Sequence, residues 1–213
     1  MIKRIIFDID NTLIPWKKEY NYEINKALEK LNIPYTEEEA SQISIAFDEY
    51  ENAYLTFQKD KMVQFINEYT KKQYPKELVY EIIKGWESCV PEQIEPEIIE
   101  VIEYLKEKYE LVILTDWYVD SQKARLEKVG ILQYFQDVYG AEKTKRKPYP
   151  EAFLQAIGNN KPEECVMIGD SFERDIKGAI QAGLKAIYYC PIDNDKKGEF
   201  VKVRKLEELR KVL

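Results

Sequence analysis

Histidine is absent from the 213 residues. Its absence removes Ser-His and Cys-His nucleophilic catalysis and most zinc sites. Proton transfer near neutral pH then falls to carboxylates, Lys, Tyr or Cys. Cysteine is scarce. Cys89, Cys165 and Cys190 are far apart, odd in number and form no C-x-x-C, so neither a disulfide framework nor a zinc site is expected. No stretch approaches the roughly 20 apolar residues of a membrane span. Between Arg4 and Asp8 stand only Ile5, Ile6 and Phe7, too few for a signal-peptide core. The expectation is a cytoplasmic protein with no membrane partner. Basic tracts are missing too: the net charge is -7 and the lysines are interleaved with glutamates, as on solvated helix faces. No nucleic-acid partner is expected.

What is present is a chain 45% hydrophobic and 33% charged, enough to build one or two domains with a real core. Residues 2–7 are apolar nearly throughout and rich in isoleucine, which predicts a strand buried on both faces. From about 17 to 87 the pattern turns helical, rich in Glu, Lys and Tyr, with breaks at Asn32-Ile33-Pro34 and Tyr74-Pro75. Four helices are predicted there, near 18–31, 36–57, 60–73 and 76–87, with Thr36 and Glu39 spaced as a capping box. Phe47, Tyr50, Tyr54 and Phe57 recur at helical spacing, read as packing within a bundle.

After VPEQIEP (90–96) helices and strands alternate. Helices are predicted at 97–108, 118–129, 149–159, 173–182 and 205–212. Strands are predicted at ELVILT, near 137–139, at ECVMIGD and at LKAIYY. Such alternation predicts a parallel sheet with helices on both faces. Ligands bind such sheets at the carboxyl ends of their strands.

Three of these strands end alike: Asp8 follows IIF, Thr115-Asp116 follow LVIL, and Gly169-Asp170 follow VMI, with Asp175 soon after. In one parallel sheet these carboxylates would share one edge, and charges so close repel unless a cation lies between them. An all-oxygen, histidine-free donor set favours Mg²⁺ over zinc, and Mg²⁺ held by few carboxylates usually pairs with a phosphate. Thr115 offers a hydroxyl and Gly169 close backbone approach. The run Lys143, Lys145, Arg146, Lys147 offers a cation, or is merely a solvated loop.

These residues carry a family resemblance. Asp8-Ile9-Asp10-Asn11-Thr12, LVIL-Thr115, Lys147 in K-P-x-P-x-x-F, and Asp170 with Asp175 in GDSFERD resemble, in order, the four motifs of the haloacid dehalogenase superfamily of hydrolases. The resemblance implies a Rossmann-like, doubly wound parallel sheet in three α/β/α layers, built from residues 1–14 and 91–213. It implies an inserted all-helical cap over 15–90. Asp8 would be the nucleophile forming an aspartyl-phosphate, and Asp10 the general acid and base. Mg²⁺ would be held by Asp8, the Asp10 carbonyl and Asp170, with Asp175 orienting that shell. Thr115, Lys147 and the N–H of Asp116 would bind phosphoryl oxygens. Asp116-Trp117 stands where that family commonly has Asn-Gly.

Members that dehalogenate lack the counterpart of Asp10, so a phosphatase acting on a small-molecule phosphate ester is implied. A phosphomutase is the close variant. A phospho-accepting receiver-like domain is the reading from another class, opposed by a nucleophile near residue 8 and the insertion after it.

Overall fold

The computed structural model describes residues 1–16, 20–192, 194 and 196–213. The chain divides into two compact units, Met1–Trp16 with Val90–Leu213, and Lys17–Cys89. The smaller unit is helical: α1 (Tyr20–Lys30), α2 (Glu37–Ala53), α3 (Lys59–Thr70) and α4 (Lys76–Trp86). The expected start of the first helix, at 18, lies outside the described residues. The Thr36 capping box forms: Thr36 Oγ1 accepts from the Glu39 N–H at 3.3 Å, and Glu39 Oε2 accepts from the Thr36 N–H at 3.0 Å. Helix α2 stops at Ala53, short of the expected 57. Tyr54 is extended, and the Tyr50 hydroxyl donates to the Gln58 carbonyl and accepts from its N–H, each at 3.2 Å. The aromatic series therefore folds back on itself. Tyr50 stacks on Tyr54 with centroids 4.5 Å apart and meets Phe57 and Phe65, as expected of packing.

The larger unit holds one parallel sheet. Its strands are β1 (Arg4–Phe7), β2 (Glu110–Leu114), β3 (Asp137–Tyr139), β4 (Cys165–Gly169), β5 (Lys185–Tyr189) and β6 (Val201–Val203), in the order β3-β2-β1-β4-β5-β6. Side chains alternate across a strand, and the apolar runs feed two cores. Ile5, Phe7, Leu111, Ile113, Val166 and Ile168 face one way. Val101, Ile102 and Leu105 of α5 (Pro96–Lys106), Leu126 of α6 (Val119–Lys128) and Leu209 cover them. Ile6, Val112, Leu114, Met167 and Ala186 face the other way. They lie under Ala152, Phe153 and Ala156 of α7 (Pro150–Ala156), and under Ile176 and Ala179. Ala179 belongs to α8 (Gly178–Gln181), and Leu209 opens α9 (Leu209–Val212). The result is the three-layer, doubly wound α/β fold that the strand-helix alternation predicts. Gly130 and Gly183 end their helical segments at φ +78° and +83°, where a side chain would be strained. No helix among the described residues is long and apolar enough to cross a membrane.

The register fixes the functional edge. Phe7 lies beside Ile113 on one side and Ile168 on the other. The residues just beyond are Asp8, Leu114-Thr115 and Gly169-Asp170. Strand β1 is where chain progression reverses across the sheet, and the crevice outside such a switch point is the usual ligand site.

Candidate active site

The loop leaving β1 turns at once. The Ile9 carbonyl accepts from the N–H groups of Thr12, Leu13 and Ile14, and Asn11 takes φ 61°. Asn adopts this left-handed region more readily than most residues. The turn aims Thr12 back at the strand end, where its hydroxyl donates to Asp8 Oδ2 at 3.1 Å. Both side chains are buried.

Lys147 reaches the same carboxylate. Its Nζ donates to Asp8 Oδ1 at 2.6 Å, to Asp175 Oδ1 at 2.7 Å and to the Leu114 carbonyl at 3.2 Å. The charge run thus resolves into one buried cation, Lys147, and a solvated remainder in which Lys145 pairs with Glu151. Burial disfavours the Lys147 charge, but Asp175, Asp8 and Asp116 outweigh it and hold its pKa above the usual lysine range. Lys147 is therefore protonated at any ordinary pH.

Asp175 sits on a six-residue π-helical turn, Phe172–Lys177, that follows β4. Such turns recur at functional sites. Its second oxygen accepts from the Ser171 N–H at 2.9 Å. Gly169 makes room for it: a Cβ there would lie 2.3 Å from Asp175 Oδ2. Gly169→Ala is accordingly expected to cost about 1–3 kcal/mol by overpacking, read as a lower denaturant midpoint. Asp170, half-buried, is pushed up to about 6 by its own desolvation and by the charge of Asp8.

Asp116 acts through its side chain as well. Oδ1 accepts from the Lys147 backbone N–H at 2.8 Å, and Oδ2 pairs with Arg174 at 3.2 Å. The Asp in place of Asn therefore ties the end of β2 to the loop that delivers Lys147.

Asp10 and Thr115 are joined through two residues of α6. Gln122 Nε2 donates to Asp10 Oδ2 and to Thr115 Oγ1, each at 2.9 Å, and Arg125 Nη1 donates to Asp10 Oδ1 at 2.5 Å. Burial, together with the nearby charge of Asp8, moves the Asp10 carboxyl upward against the pull of Arg125. Sequence reasoning missed Gln122, Arg125 and Arg174, and it gave Thr12, which stands in the first motif, no role of its own. A usable signal existed for the α6 pair: Gln122 and Arg125 are spaced i, i+3 beside Leu126, which puts two polar side chains on the face the helix buries.

All seven sequence-derived residues, Asp8, Asp10, Thr115, Asp116, Lys147, Asp170 and Asp175, lie in this network or beside it. Carboxylate oxygens of Asp8, Asp170 and Asp175 fall within 4.8 Å of one another. Around them the charges do not cancel among the described residues. With all four ionised, Asp8, Asp116, Asp170 and Asp175 bring four negative charges and Lys147 and Arg174 two positive ones, and burial with the charge of Asp8 raises Asp170 to about 6 and Asp175 to about 7. Two negative charges remain in a poorly solvated site, which suits a hard divalent cation with oxygen ligands.

A family model described as haloacid dehalogenase-like hydrolase matches residues 2–183. The HAD-hydrolase YfnB of Bacillus subtilis is 26% identical, covering 99% of this chain and 95% of its own. The magnesium-bound structure of YfnB shares the fold at TM-score 0.72 and 24% identity, over 99% of this chain and 98% of that one. N-acylneuraminate-9-phosphatase of Rattus norvegicus is 24% identical over 87% of this chain and 81% of its own. The structure of a HAD phosphatase from Thermococcus onnurineus matches at TM-score 0.70 and 25% identity, over 99% and 97% of the two chains. The ordered motifs, the parallel sheet that gathers them and a family match running from β1 to the end of α8 agree: this chain belongs to the haloacid dehalogenase-like hydrolases.

Proposed function

We propose that the chain hydrolyses small-molecule phosphate monoesters through an aspartyl-phosphate on Asp8, with Mg²⁺ as cofactor and the helical unit as a cap. The observation that carries this reading is the buried Lys147 ammonium, bonded to Asp8 and Asp175 where β1, β2 and β4 end. A lysine fixed beside a carboxylate cannot take its proton, but it can neutralise the oxygens of a transferring phosphoryl group. In the first half-reaction an Asp8 oxygen attacks phosphorus and the bond to the leaving oxygen breaks. Asp10 gives that oxygen its proton, and the alcohol departs. In the second, water attacks the same phosphorus, Asp10 accepts its proton, and Asp8 is released with inorganic phosphate. Thr115 and the Asp116 N–H bind phosphoryl oxygens, and Thr12 holds the Asp8 carboxylate in register.

When bound, Mg²⁺ supplies charge neutralisation at the phosphoryl group, with Asp8, Asp170 and the Asp10 carbonyl as its proposed ligands. Asp175, whose oxygens accept from Lys147 and Ser171, holds that surrounding in place. A closing cap would exclude water and choose the leaving group.

The test is release of phosphate from an ester panel with and without Mg²⁺. The panel includes an N-acylneuraminate 9-phosphate, the substrate named for the rat relative. Turnover is expected with Mg²⁺, loss on chelation, and recovery when the ion is restored. No release from any ester refutes the hydrolase reading. Mg²⁺ should also raise the melting temperature, by the equivalent of about 2.7 kcal/mol at a hundred times Kd. Asp170→Asn should lose most of that gain. An unchanged gain would remove Asp170 from the ligand set.

A further inference from the structure

We propose that Gln122 and Arg125 are positioning residues for Asp10, locking its carboxyl in the orientation that serves the leaving oxygen, with Trp16 holding Arg125. The proposal rests on the phosphohydrolase reading above and deepens it.

Arg125 is among the largest fully buried side chains, at 1% exposure, and Gln122 is at 0%. Burying a guanidinium is costly unless its charge is paired, and the partner here is Asp10. The bonds run in a closed circuit. Arg125 Nη1 donates to Asp10 Oδ1 and, at 2.7 Å, to Gln122 Oε1. Gln122 Nε2 donates to Asp10 Oδ2 and to Thr115 Oγ1. Turning the Gln122 amide over would set its NH₂ against the Arg125 donor, so only one orientation satisfies the set. Both Asp10 oxygens are held, and rotation of the carboxyl is blocked.

The guanidinium lies over the Trp16 ring, its carbon 4.7 Å from the centroid. The Trp16 backbone N–H in turn donates to Asn11 Oδ1 at 3.0 Å, within the turn that carries Asp10. Arg125 Nε and Nη2 have no hydrogen-bond partner among the described residues. Such burial lowers stability rather than raising it, so the cluster is a poor packing device. What it does achieve is a fixed Asp10, joined through one amide to the hydroxyl of Thr115.

The test compares kcat and KM on an activated aryl phosphate and on an alkyl phosphate, because only the alkoxide leaving group needs a well-placed proton. Gln122→Met keeps the side-chain volume and removes every bond. It is expected to lower kcat on the alkyl ester by about 10- to 100-fold. KM should move less than about threefold. The loss on the aryl ester should be clearly smaller. In an Asp10→Asn background the same change should cost less than about twofold on the alkyl ester, because the group it positions is already gone. Arg125→Lys should retain more activity than Arg125→Met, since one donor still reaches Asp10, and circular dichroism reports whether each variant is folded. Equal losses on the two esters, or an undiminished loss in the Asp10→Asn background, would overturn the proposal and leave a packing role. Wild-type protein that releases no phosphate from either ester would overturn the underlying reading, and this one with it.

Discussion

Asp8→Asn is expected to lower kcat for phosphate release by at least about 10⁴-fold, because it removes the nucleophile and not merely a contact. Asparagine matches aspartate in shape, and its amide oxygen can still accept from Thr12 or Lys147. It cannot form an acyl phosphate. The fold should survive. Lys147 keeps Asp175 as a partner at 2.7 Å, and the charge removed is one that Asp170 and Asp10 oppose. The expected change in stability is within about 2 kcal/mol. Steady-state assays beside a thermal melt separate the two effects. A variant that melts normally and keeps a tenth of the activity would show that another group attacks.

Lys147→Met should have the largest effect on folding. Removing one member of a buried ion pair strands the others, at a cost of about 3–5 kcal/mol. Here two carboxylates, Asp8 and Asp175, lose the same ammonium. Activity should vanish as well, since the phosphoryl group loses its fixed cation. The pH dependence has a definite sign. In the wild type the Lys147 pKa is raised, so its contribution is complete below the unfolded lysine value of 10.5 and fades only as pH climbs through the higher folded value. In the wild type burial already raises the Asp175 carboxyl to about 7 against the pull of Lys147, and without the lysine it should rise further. An acid raised in the folded state destabilises once pH exceeds its unfolded value. The deficit relative to wild type should therefore shrink as pH falls from 9 to 7 and level off below about 7, where Asp175 takes up its proton in both proteins. Urea midpoints at pH 9 and 7 measure this, and a deficit that grows from pH 9 to 7 would contradict the pairing.

Much of the architecture was legible because the strands advertise themselves. IIF, LVIL and VMI are continuous apolar runs, buried on both faces of a parallel sheet, and each stops at a polar residue. The helical insertion was legible from its charge pattern and from Thr36 with Glu39. Strand β6 was not foreseen. Val201–Val203 is three residues long with a lysine at its centre, and no period can be read in so short a segment. The end of α2 was misjudged because Tyr54 and Phe57 keep helical spacing, while the Tyr50 hydroxyl bonds to the Gln58 backbone and stabilises a turn instead.

At the site, the strand-end residues could be found since each sits where a strand must stop. The spacing of Gln122 and Arg125 beside Leu126 marks a buried polar pair but names no partner for it, and Arg174 carries no such signal. Two of their partners, Asp10 and Asp116, are distant in sequence, and only the fold supplies that pairing. Lys147 is marked among the four cations of its loop by K-P-x-P-x-x-F, and its burial sets it apart from Lys143, Lys145 and Arg146.

The central claim is that Asp8 carries the phosphoryl group. The most direct test is acid quenching during turnover of an ester labelled with ³²P in its phosphate, followed by peptide mapping. Label is expected on the peptide that contains Asp8, removable by mild base as an acyl phosphate should be, and absent in Asp8→Asn. Phosphate release at the wild-type rate with no label on that peptide, or label that persists in Asp8→Asn, would contradict it.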